Sequence, residues 1–171
     1  MNISTVDIDR LTTLKAGDEI KLSGVVYTAR DAAHKKICAM IKNGDALPFS
    51  LLNCAIYYAG PTPTKEGMII GSCGPTTSSR MDMFTPTLLD RGLKIMIGKG
   101  PRSDDVIKSM IKNRAVYLCA LGGAGALCAK AVKSCEVIAF PELGCESIKK
   151  LEIENFELFV GIDCYGNSIF K

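Results

Sequence analysis

Residues 94–123 read KIMIGKGPRSDDVIKSMIKNRAVYLCALGG and carry two short apolar runs on either side of one amphipathic segment. The runs at 94–100 and 115–123 are predicted as strands, because each is short and bounded by glycine or polar residues. Ser103 supplies a good helix cap. Apolar residues then recur at helical spacing, at Val106, Ile107, Met110 and Ile111. A strand–helix–strand unit of this kind predicts an α/β domain.

The same alternation continues through the rest of the chain. Further strands are predicted at 19–28, 54–60, 68–74, 135–140 and 156–170, the last with a hairpin turn at Tyr165-Gly166-Asn167. Further helices are predicted at 31–42, 77–91 and 124–133, the second with an interruption at Pro86. No linker or repeat divides the sequence, so residues 1–171 are predicted to form a single domain.

The composition excludes several classes of protein. Of the 171 residues, 47% are hydrophobic and 23% charged, which is typical of a globular domain. The net charge of +3 and the lack of a basic run argue against nucleic acid and anionic membranes as partners. No apolar stretch approaches the roughly 20 residues that span a bilayer, and no signal peptide is recognisable, so we expect a cytoplasmic protein. The eight cysteines form no CxxC pair, which predicts reduced, structural thiols.

Four predicted strands end in short loops that open directly into predicted helices, at 25–36, 71–82, 97–105 and 120–130. Helix starts offer unpaired backbone N–H groups and the positive end of the macrodipole, so each junction can receive an anion. Ligands of open α/β sheets favour the carboxyl ends of strands, where these loops lie. Three junctions also carry a cation, at Arg30, Arg80 and Lys99. If these cations converge, they form a pocket for a small polyanion.

The types of cation indicate which class of anion the pocket would bind. An arginine fork matches a carboxylate in a bidentate manner, so two arginines suit a dicarboxylate. Thr76 lies four residues before Arg80 and, on one helix, would share its face. A hydroxyl beside a substrate-holding guanidinium is a candidate reacting centre. Because a free threonine is a very weak base, nearby cations or the helix start would have to activate it.

Each of these features also has a purely structural interpretation. Arg30 can form a surface salt bridge with Asp31, and the polar segment 74–80 can act only as a helix cap. The GKG sequence at 98–100 suits a simple turn. The glycines at 122–125 suggest a dinucleotide loop, but the third glycine of that motif is missing, and tight helix–strand packing explains them better. The residues alone therefore predict an anion pocket and no particular reaction.

Five segments carry a resemblance to a known family: YTARDAAHKK (27–36), CAIYYAGP (54–61), GPTTSSRMDMF (74–84), MIGKG (96–100) and LGGAGAL (121–127). In this order and spacing they resemble the beta subunit, or C-terminal domain, of class I iron–sulfur fumarate hydratases. The related tartrate dehydratase beta subunit shares the framework. The resemblance implies a three-layer swivelling β/β/α domain with a mixed sheet, and the reversible hydration of fumarate to L-malate.

The resemblance also implies roles for individual residues. Arg30 and Arg80 match arginines that bind the substrate carboxylates, and Thr77 matches a substrate-binding threonine. Thr76 matches the threonine proposed to remove the proton next to the carboxylate. Lys99 matches a lysine that contacts the substrate and assists that threonine electrostatically.

The remaining expectations from the resemblance concern support, cofactor and partner. Asp31, His34 and Gly74 are expected to support the site, although His34 alone would be interpreted as structural or solvated. A [4Fe–4S] cluster is implied, held by a separate alpha subunit with no metal bound by this chain, in an assembly of two alpha and two beta chains. Alternative functions are a tartrate dehydratase beta subunit, a non-catalytic carboxylate-binding subunit and, more remotely, a phosphate- or nucleotide-binding module.

Overall fold

A computed structural model describes residues 1–120 and 125–170 of the chain. Its strands are β1 (Asn2–Ser4), β2 (Glu19–Thr28), β3 (Ala55–Tyr57), β4 (Ile95–Gly98), β5 (Val116–Cys119), β6 (Val132–Ala139) and β7 (Ile148–Ile162). Its α-helices are α1 (Ile8–Leu11), α2 (Asp31–Asn43), α3 (Thr85–Leu89), α4 (Asp104–Asn113) and α5 (Gly125–Lys130). Two 3₁₀ segments cover Ser78–Met81 and Pro141–Glu146. The predicted α/β class is confirmed.

The seven strands form one mixed sheet in the order β1-β2-β3-β4-β5-β7-β6. Strands β1 to β5 run parallel to one another, while β7 is antiparallel to β5, β6 and β2. Because β7 pairs with both β5 and β2, the five strands β2, β3, β4, β5 and β7 close into a barrel-like sheet. The predicted mixed sheet is therefore confirmed.

Two hydrophobic cores lie on opposite faces of the strands. Ile95 and Ile97 of β4 belong to a core enclosed between facing strands, whereas Met96 between them belongs to a core shared with helices α2, α3 and α4. This division follows from the period of two in a strand, which sends successive side chains to opposite faces. All three side chains are fully buried, as expected for parallel strands covered on both faces.

Two predicted elements are corrected. The strand predicted at 68–74 is an irregular loop in the structure, although Ile70 and Cys73 within it are buried in the core. The helix predicted at 77–91 is two short pieces, the 3₁₀ helix Ser78–Met81 and α3. The break comes before Pro86, which occupies the first turn of α3, where a missing N–H costs no hydrogen bond.

The C-terminal half differs from the prediction in its boundaries. The last strand begins at Ile148 and ends at Ile162, so the strand predicted at 156–170 is wrong beyond residue 162. The predicted turn is confirmed, since Ile162 and Ser168 pair across it and Gly166 has a φ of 87°. The helix predicted at 124–133 ends at Lys130, and most of the glycine-rich segment before it lies outside the described residues. Among the described residues, no helix combines the length and apolar content needed to cross a bilayer.

Candidate functional site

The carboxyl ends of strands β2, β3 and β4 meet at one edge of the sheet. Arg30 follows β2 by two residues, Tyr58 follows β3 directly and Lys99 follows β4 directly. Backbone hydrogen bonds keep these ends in register: Ala29 N–H donates to the Tyr57 carbonyl at 3.1 Å, and Tyr58 N–H donates to that of Ile97 at 2.8 Å. The edge is the place where parallel α/β sheets bind ligands.

The segment containing Thr76 and Thr77 crosses this edge between the ends of β3 and β4. Thr76 N–H donates to the Tyr58 carbonyl at 2.7 Å. Thr77 pairs with Lys99 in a parallel bridge, and Ser78 N–H donates to the Lys99 carbonyl at 3.0 Å. Both threonines and the lysine are therefore held on adjacent stretches of backbone, with Thr76 half-buried and Thr77 exposed.

Ser78 fixes the threonine segment against β4. Its hydroxyl accepts a hydrogen bond from Lys99 N–H at 3.1 Å and lies 2.8 Å from the hydroxyl of the buried Tyr117. This approach requires a glycine at position 98, because a Cβ there would lie 1.9 Å from Ser78 Oγ and 2.9 Å from the Tyr58 ring. Gly98 thus has a steric function that its position in a glycine-rich turn does not reveal.

Asp31 links the two arginines predicted to bind carboxylates. Its Oδ1 accepts a hydrogen bond of 2.9 Å from Arg80 Nε, and its Oδ2 lies 3.8 Å from Arg30 Nε. The Arg30 side chain is 21% exposed and that of Arg80 is 52% exposed, so Arg30 is the better shielded cation. The expectation that Thr76 and Arg80 share a helix face is wrong, because Thr76 precedes the 3₁₀ helix that contains Arg80.

His34 lies beneath Arg30 and is completely buried. Its Nδ1 lies 2.8 Å from the Arg30 carbonyl and so donates to it, and its ring packs against those of Tyr58 and Phe84. Burial lowers the pKa of His34 from 6.5 to about 4, so the imidazole is neutral near pH 7. Its Nε2 has no hydrogen-bond partner among the described residues. This placement fits the structural interpretation of His34.

Gly74 lies where helix α5 approaches the threonine segment. A Cβ at Gly74 would lie 3.4 Å from the Cα of Gly125, and a Cβ at Gly125 would lie 2.2 Å from Ser72 Oγ. The start of α5 therefore packs directly on the loop that leads into the site. The tight packing predicted for the glycine-rich segment holds at Gly125; its residues 122–124 lie outside the described residues.

The sequence interpretation missed a buried arginine beside the site. The Arg102 side chain is inaccessible to solvent and its guanidinium donates to Asp82 at 2.7 Å and to Thr85 at 2.8 Å. It also stacks between the rings of Tyr58 and Tyr117. Because Asp82 directly follows the 3₁₀ helix, this cluster fixes the segment that carries Arg80. Sequence reasoning missed Arg102 because it begins a run of polar residues at 102–105 that helix capping explains equally well.

The cysteines of this chain do not form a metal-ligand set. All eight thiols are free, and five are buried: Cys54, Cys73, Cys119, Cys128 and Cys164. Burial raises the pKa of the Cys54 and Cys73 thiols to about 12, so these groups stay protonated and unreactive. Among the described residues, no group of three or more His, Cys, Asp or Glu side chains lies together in a way that could hold a metal ion. The described residues of this chain therefore do not fit an iron–sulfur cluster.

The chain is similar in sequence to known proteins over nearly its whole length. A family model described as Fumarase C-terminus matches residues 1–171. Fumarate hydratase 2 of Leishmania major is 40% identical over 164 residues, which are 95% of this chain and 29% of that protein. The aerobic class I fumarate hydratase of Escherichia coli K12 is 39% identical over 164 residues, 95% of this chain and 30% of that protein.

A relative of similar length is the putative L(+)-tartrate dehydratase subunit beta of Methanocaldococcus jannaschii. It is 41% identical over 164 residues, which cover 92% of this chain and 84% of that subunit. The chain thus spans about three tenths of the two fumarate hydratases and most of the tartrate dehydratase subunit.

Proposed function

The chain belongs to the Fumarase C-terminus family, and from this premise we propose that it is the dicarboxylate-binding part of a hydro-lyase that interconverts fumarate and L-malate. The observation that carries the proposal is the shared position of two arginines and the threonine segment. Arg30 and Arg80 both approach Asp31, and Thr76 and Thr77 lie across the same edge of the sheet beside Lys99.

In this proposal the two arginines hold the two carboxylates of the substrate. The Arg30 guanidinium is mostly shielded from solvent, which strengthens its attraction for an anion, and Arg80 can turn from Asp31 toward the ligand because its side chain is half-exposed. Thr77 adds a hydroxyl hydrogen bond. The two arginines are carried by separate elements, the end of β2 and the 3₁₀ helix, so each can bind one carboxylate of a di-acid.

Thr76 is proposed as the group that removes the proton from the carbon next to a substrate carboxylate. Its backbone is held by the hydrogen bond to Tyr58, and it adjoins Thr77, which pairs with Lys99 at the end of the neighbouring strand. The positive charges of Lys99 and Arg80 favour the alkoxide form of an adjacent hydroxyl. Lys99 therefore assists through its charge, and this is its proposed role.

The acid that handles the leaving hydroxyl and the cluster ligands are proposed to lie in a partner. The two matched fumarate hydratases are about three times as long as this sequence, and we place these groups in the part of such proteins that the match does not cover. When bound, a [4Fe–4S] cluster on that partner would act on the substrate hydroxyl as a Lewis acid. The proposed complex is a cytoplasmic alpha–beta assembly with two copies of each chain.

The test combines this chain with a candidate cluster-bearing alpha subunit under anaerobic conditions and follows the ultraviolet absorbance of fumarate. Arg30→Ala and Arg80→Ala are each expected to lower kcat/KM by about 100-fold or more, since loss of a shielded charge partner typically costs about 3 kcal/mol. Thr76→Val, which removes only the hydroxyl, is expected to lower kcat with little change in KM.

Arg91→Ala is the matched control, because Arg91 is an exposed arginine that precedes β4, at the opposite edge of the sheet. It should leave both kinetic constants unchanged. Near-normal turnover in the Arg30 or Arg80 variants would refute the dicarboxylate site, and normal turnover in Thr76→Val would remove Thr76 from the chemistry.

A second candidate function is dehydration of L-tartrate. It is supported by the 41% identity to the putative L(+)-tartrate dehydratase subunit beta, which is as similar to this chain as the fumarate hydratases are. Comparing kcat/KM of one assembled preparation on fumarate, L-malate and L(+)-tartrate separates the two candidates. A preference for tartrate would reassign the substrate while retaining Arg30, Arg80 and Thr76 in their proposed roles.

A further inference from the structure

The 3₁₀ segment Pro141–Glu146 packs on the start of helix α2, next to Arg30. Glu146 accepts a hydrogen bond of 3.4 Å from Ala32 N–H through Oε1, and the same oxygen lies 3.9 Å from Arg30 Nε. At the other end of the segment, Glu142 pairs with Lys36, one turn further along the helix. The segment therefore brings two carboxylates to α2, and that of Glu146 lies beside Arg30.

Glu146 compensates for an unusual helix start. Arg30 occupies the N-cap position of α2 and makes no capping hydrogen bond with its side chain, whereas Ser, Thr, Asp and Asn are the usual caps. A cation at this end of a helix also opposes the macrodipole. Glu146 accepts the hydrogen bond from Ala32 N–H that the N-cap side chain does not accept, and it adds a second negative charge to that of Asp31 at this end of the helix.

The turn that carries Glu146 is fixed to the end of β2. Lys149 Nζ donates to Ser147 Oγ at 2.7 Å and to the carbonyls of Gly144 at 3.2 Å and Cys145 at 3.3 Å. Lys149 N–H donates to Thr28 Oγ1 at 3.1 Å, and Thr28 is the last residue of β2. Because Arg30 follows the same strand by two residues, Glu146 and Arg30 are fixed to a common frame.

The Arg30 side chain is closely packed by its neighbours, but its Nε makes no hydrogen bond within the described part of the chain. A Cβ at Gly60 would lie 2.9 Å from its Nη1 and 3.3 Å from the carbonyl of Cys145, so the arginine runs through a narrow gap. Its Nε is buried and has no hydrogen-bond partner among the described residues. Asp31 and Glu146 lie at 3.8 and 3.9 Å, within ion-pair range and beyond hydrogen-bond range.

We infer that Glu146 is a positioning residue for Arg30: its carboxylate holds the guanidinium between Glu146 and Asp31 and leaves the guanidinium's donors available to a substrate carboxylate. Lys149 acts one step further away by fixing the turn that carries Glu146. This inference rests on the proposed function, because it assumes that Arg30 binds substrate. Without the Glu146 charge, Arg30 moves toward Asp31, and an incoming carboxylate must then displace that pair.

The test is Glu146→Gln in the assembled complex, since glutamine keeps an oxygen that can accept from Ala32 N–H and removes only the charge. We expect KM for the dicarboxylate to rise about tenfold with kcat changed less than about threefold, because substrate capture is impaired and the reacting groups are intact. The melting temperature should be unchanged. Glu142→Gln is the matched control, because the same change on the same segment falls beside Lys36 instead of Arg30.

Two further variants keep the inference testable if glutamine at position 146 impairs folding. Lys149→Met should raise KM in the same direction, and Lys149→Arg should restore it. In an Arg30→Lys background, Lys149→Met should cause no further rise in KM if Lys149 acts through Arg30.

The outcomes separate this inference from the proposed function. If Arg30→Ala leaves turnover intact, the proposed function fails. If Arg30→Ala abolishes turnover while Glu146→Gln leaves KM unchanged, only the positioning role fails. Equal rises in KM for Glu146→Gln and Glu142→Gln would also refute it, because the effect would then come from docking of the segment and not from the charge beside Arg30.

Discussion

At the residue scale, His34 connects the acid stability of the chain to the geometry of the site. Its ring is buried, its Nδ1 donates to the Arg30 carbonyl, and its folded-state pKa of about 4 is below the ordinary value of 6.5. As the pH falls below 6.5, the unfolded chain takes up a proton that the folded chain excludes. The contribution of His34 to stability is therefore complete above pH 6.5 and is lost as the pH falls toward 4.

The prediction is a decrease of about 1.4 kcal/mol per pH unit from this one group between roughly pH 6 and pH 4.5. Urea denaturation of the isolated chain across this range measures the free energy of unfolding. His34→Gln, which retains a donor for the Arg30 carbonyl and cannot titrate, is expected to show a slope lower by about one proton. An identical pH dependence in both proteins would mean that His34 is accessible to protons in the folded state.

The location of single residues was predictable where their charge and their place in the sequence were sufficient. Arg30 and Lys99 were expected at strand ends from the sequence alone, and the structure has them there. The connection between Arg80 and Arg30 was not predictable, because it passes through Asp31, a residue that the sequence pairs equally well with its own neighbour. Glu146 was missed for a similar reason, since 116 residues separate it from the arginine it accompanies.

At the element scale, the close contact of the threonine segment with β4 depends on Gly98. A Cβ at that position would lie 1.9 Å from Ser78 Oγ, so Gly98→Ala must displace the segment that carries Thr76. We expect a loss of about 1–3 kcal/mol in unfolding free energy from overpacking, and loss of most of the proposed hydro-lyase activity in the proposed complex. Thermal denaturation and the fumarate assay measure the two effects.

Gly100→Ala is the comparison for this prediction. Gly100 has a φ of 80° and open space at its Cβ position, so alanine there adds backbone strain without an overlap. Gly100→Ala should lower the free energy of unfolding by about 1 kcal/mol and should leave most of the activity. If Gly100→Ala is as damaging to activity as Gly98→Ala, the effect is due to loop strain and the steric role of Gly98 is refuted.

The period of apolar residues predicted helices and strands correctly where one face of the element packs on a core. It failed where a segment without regular structure is buried. The apolar run at 68–74 was predicted as a strand, and its Ile70 and Cys73 are indeed buried in the core. The segment is nevertheless a loop, in which Gly71 packs against the Thr62 carbonyl. A Cβ at Gly71 would lie 2.2 Å from that oxygen. Apolar composition alone cannot distinguish a buried strand from a loop that inserts into a core.

The first half of β7 is a strand that the sequence analysis did not predict. Buried Leu151 and Ile153 alternate there with the exposed Lys150, Glu152 and Glu154. The many charges in this segment hide an amphipathic strand pattern that was present in the sequence. The partner of the segment was not predictable locally either, because β7 pairs with β2 across more than 100 residues of chain.

At the scale of the whole molecule, the closed sheet couples the two cores. Strands β3, β4 and β5 contribute alternate side chains to both cores, and β7 joins β5 to β2. Neither core can lose its packing without disturbing strands that the other core needs. The chain should therefore unfold in one cooperative transition, as small single domains usually do.

Substitutions in each core test this coupling. Leu118→Ala removes a buried side chain from the core between strands, and Leu88→Ala removes one from the core beneath the helices. Each should cost about 2–5 kcal/mol by creating a cavity. In both variants, far-ultraviolet circular dichroism and tyrosine fluorescence should report the same urea midpoint, because Tyr57 lies in the first core and Tyr117 in the second. Midpoints that separate in either variant would mean that the cores unfold independently, and that closure through β7 does not make the sheet a single cooperative unit.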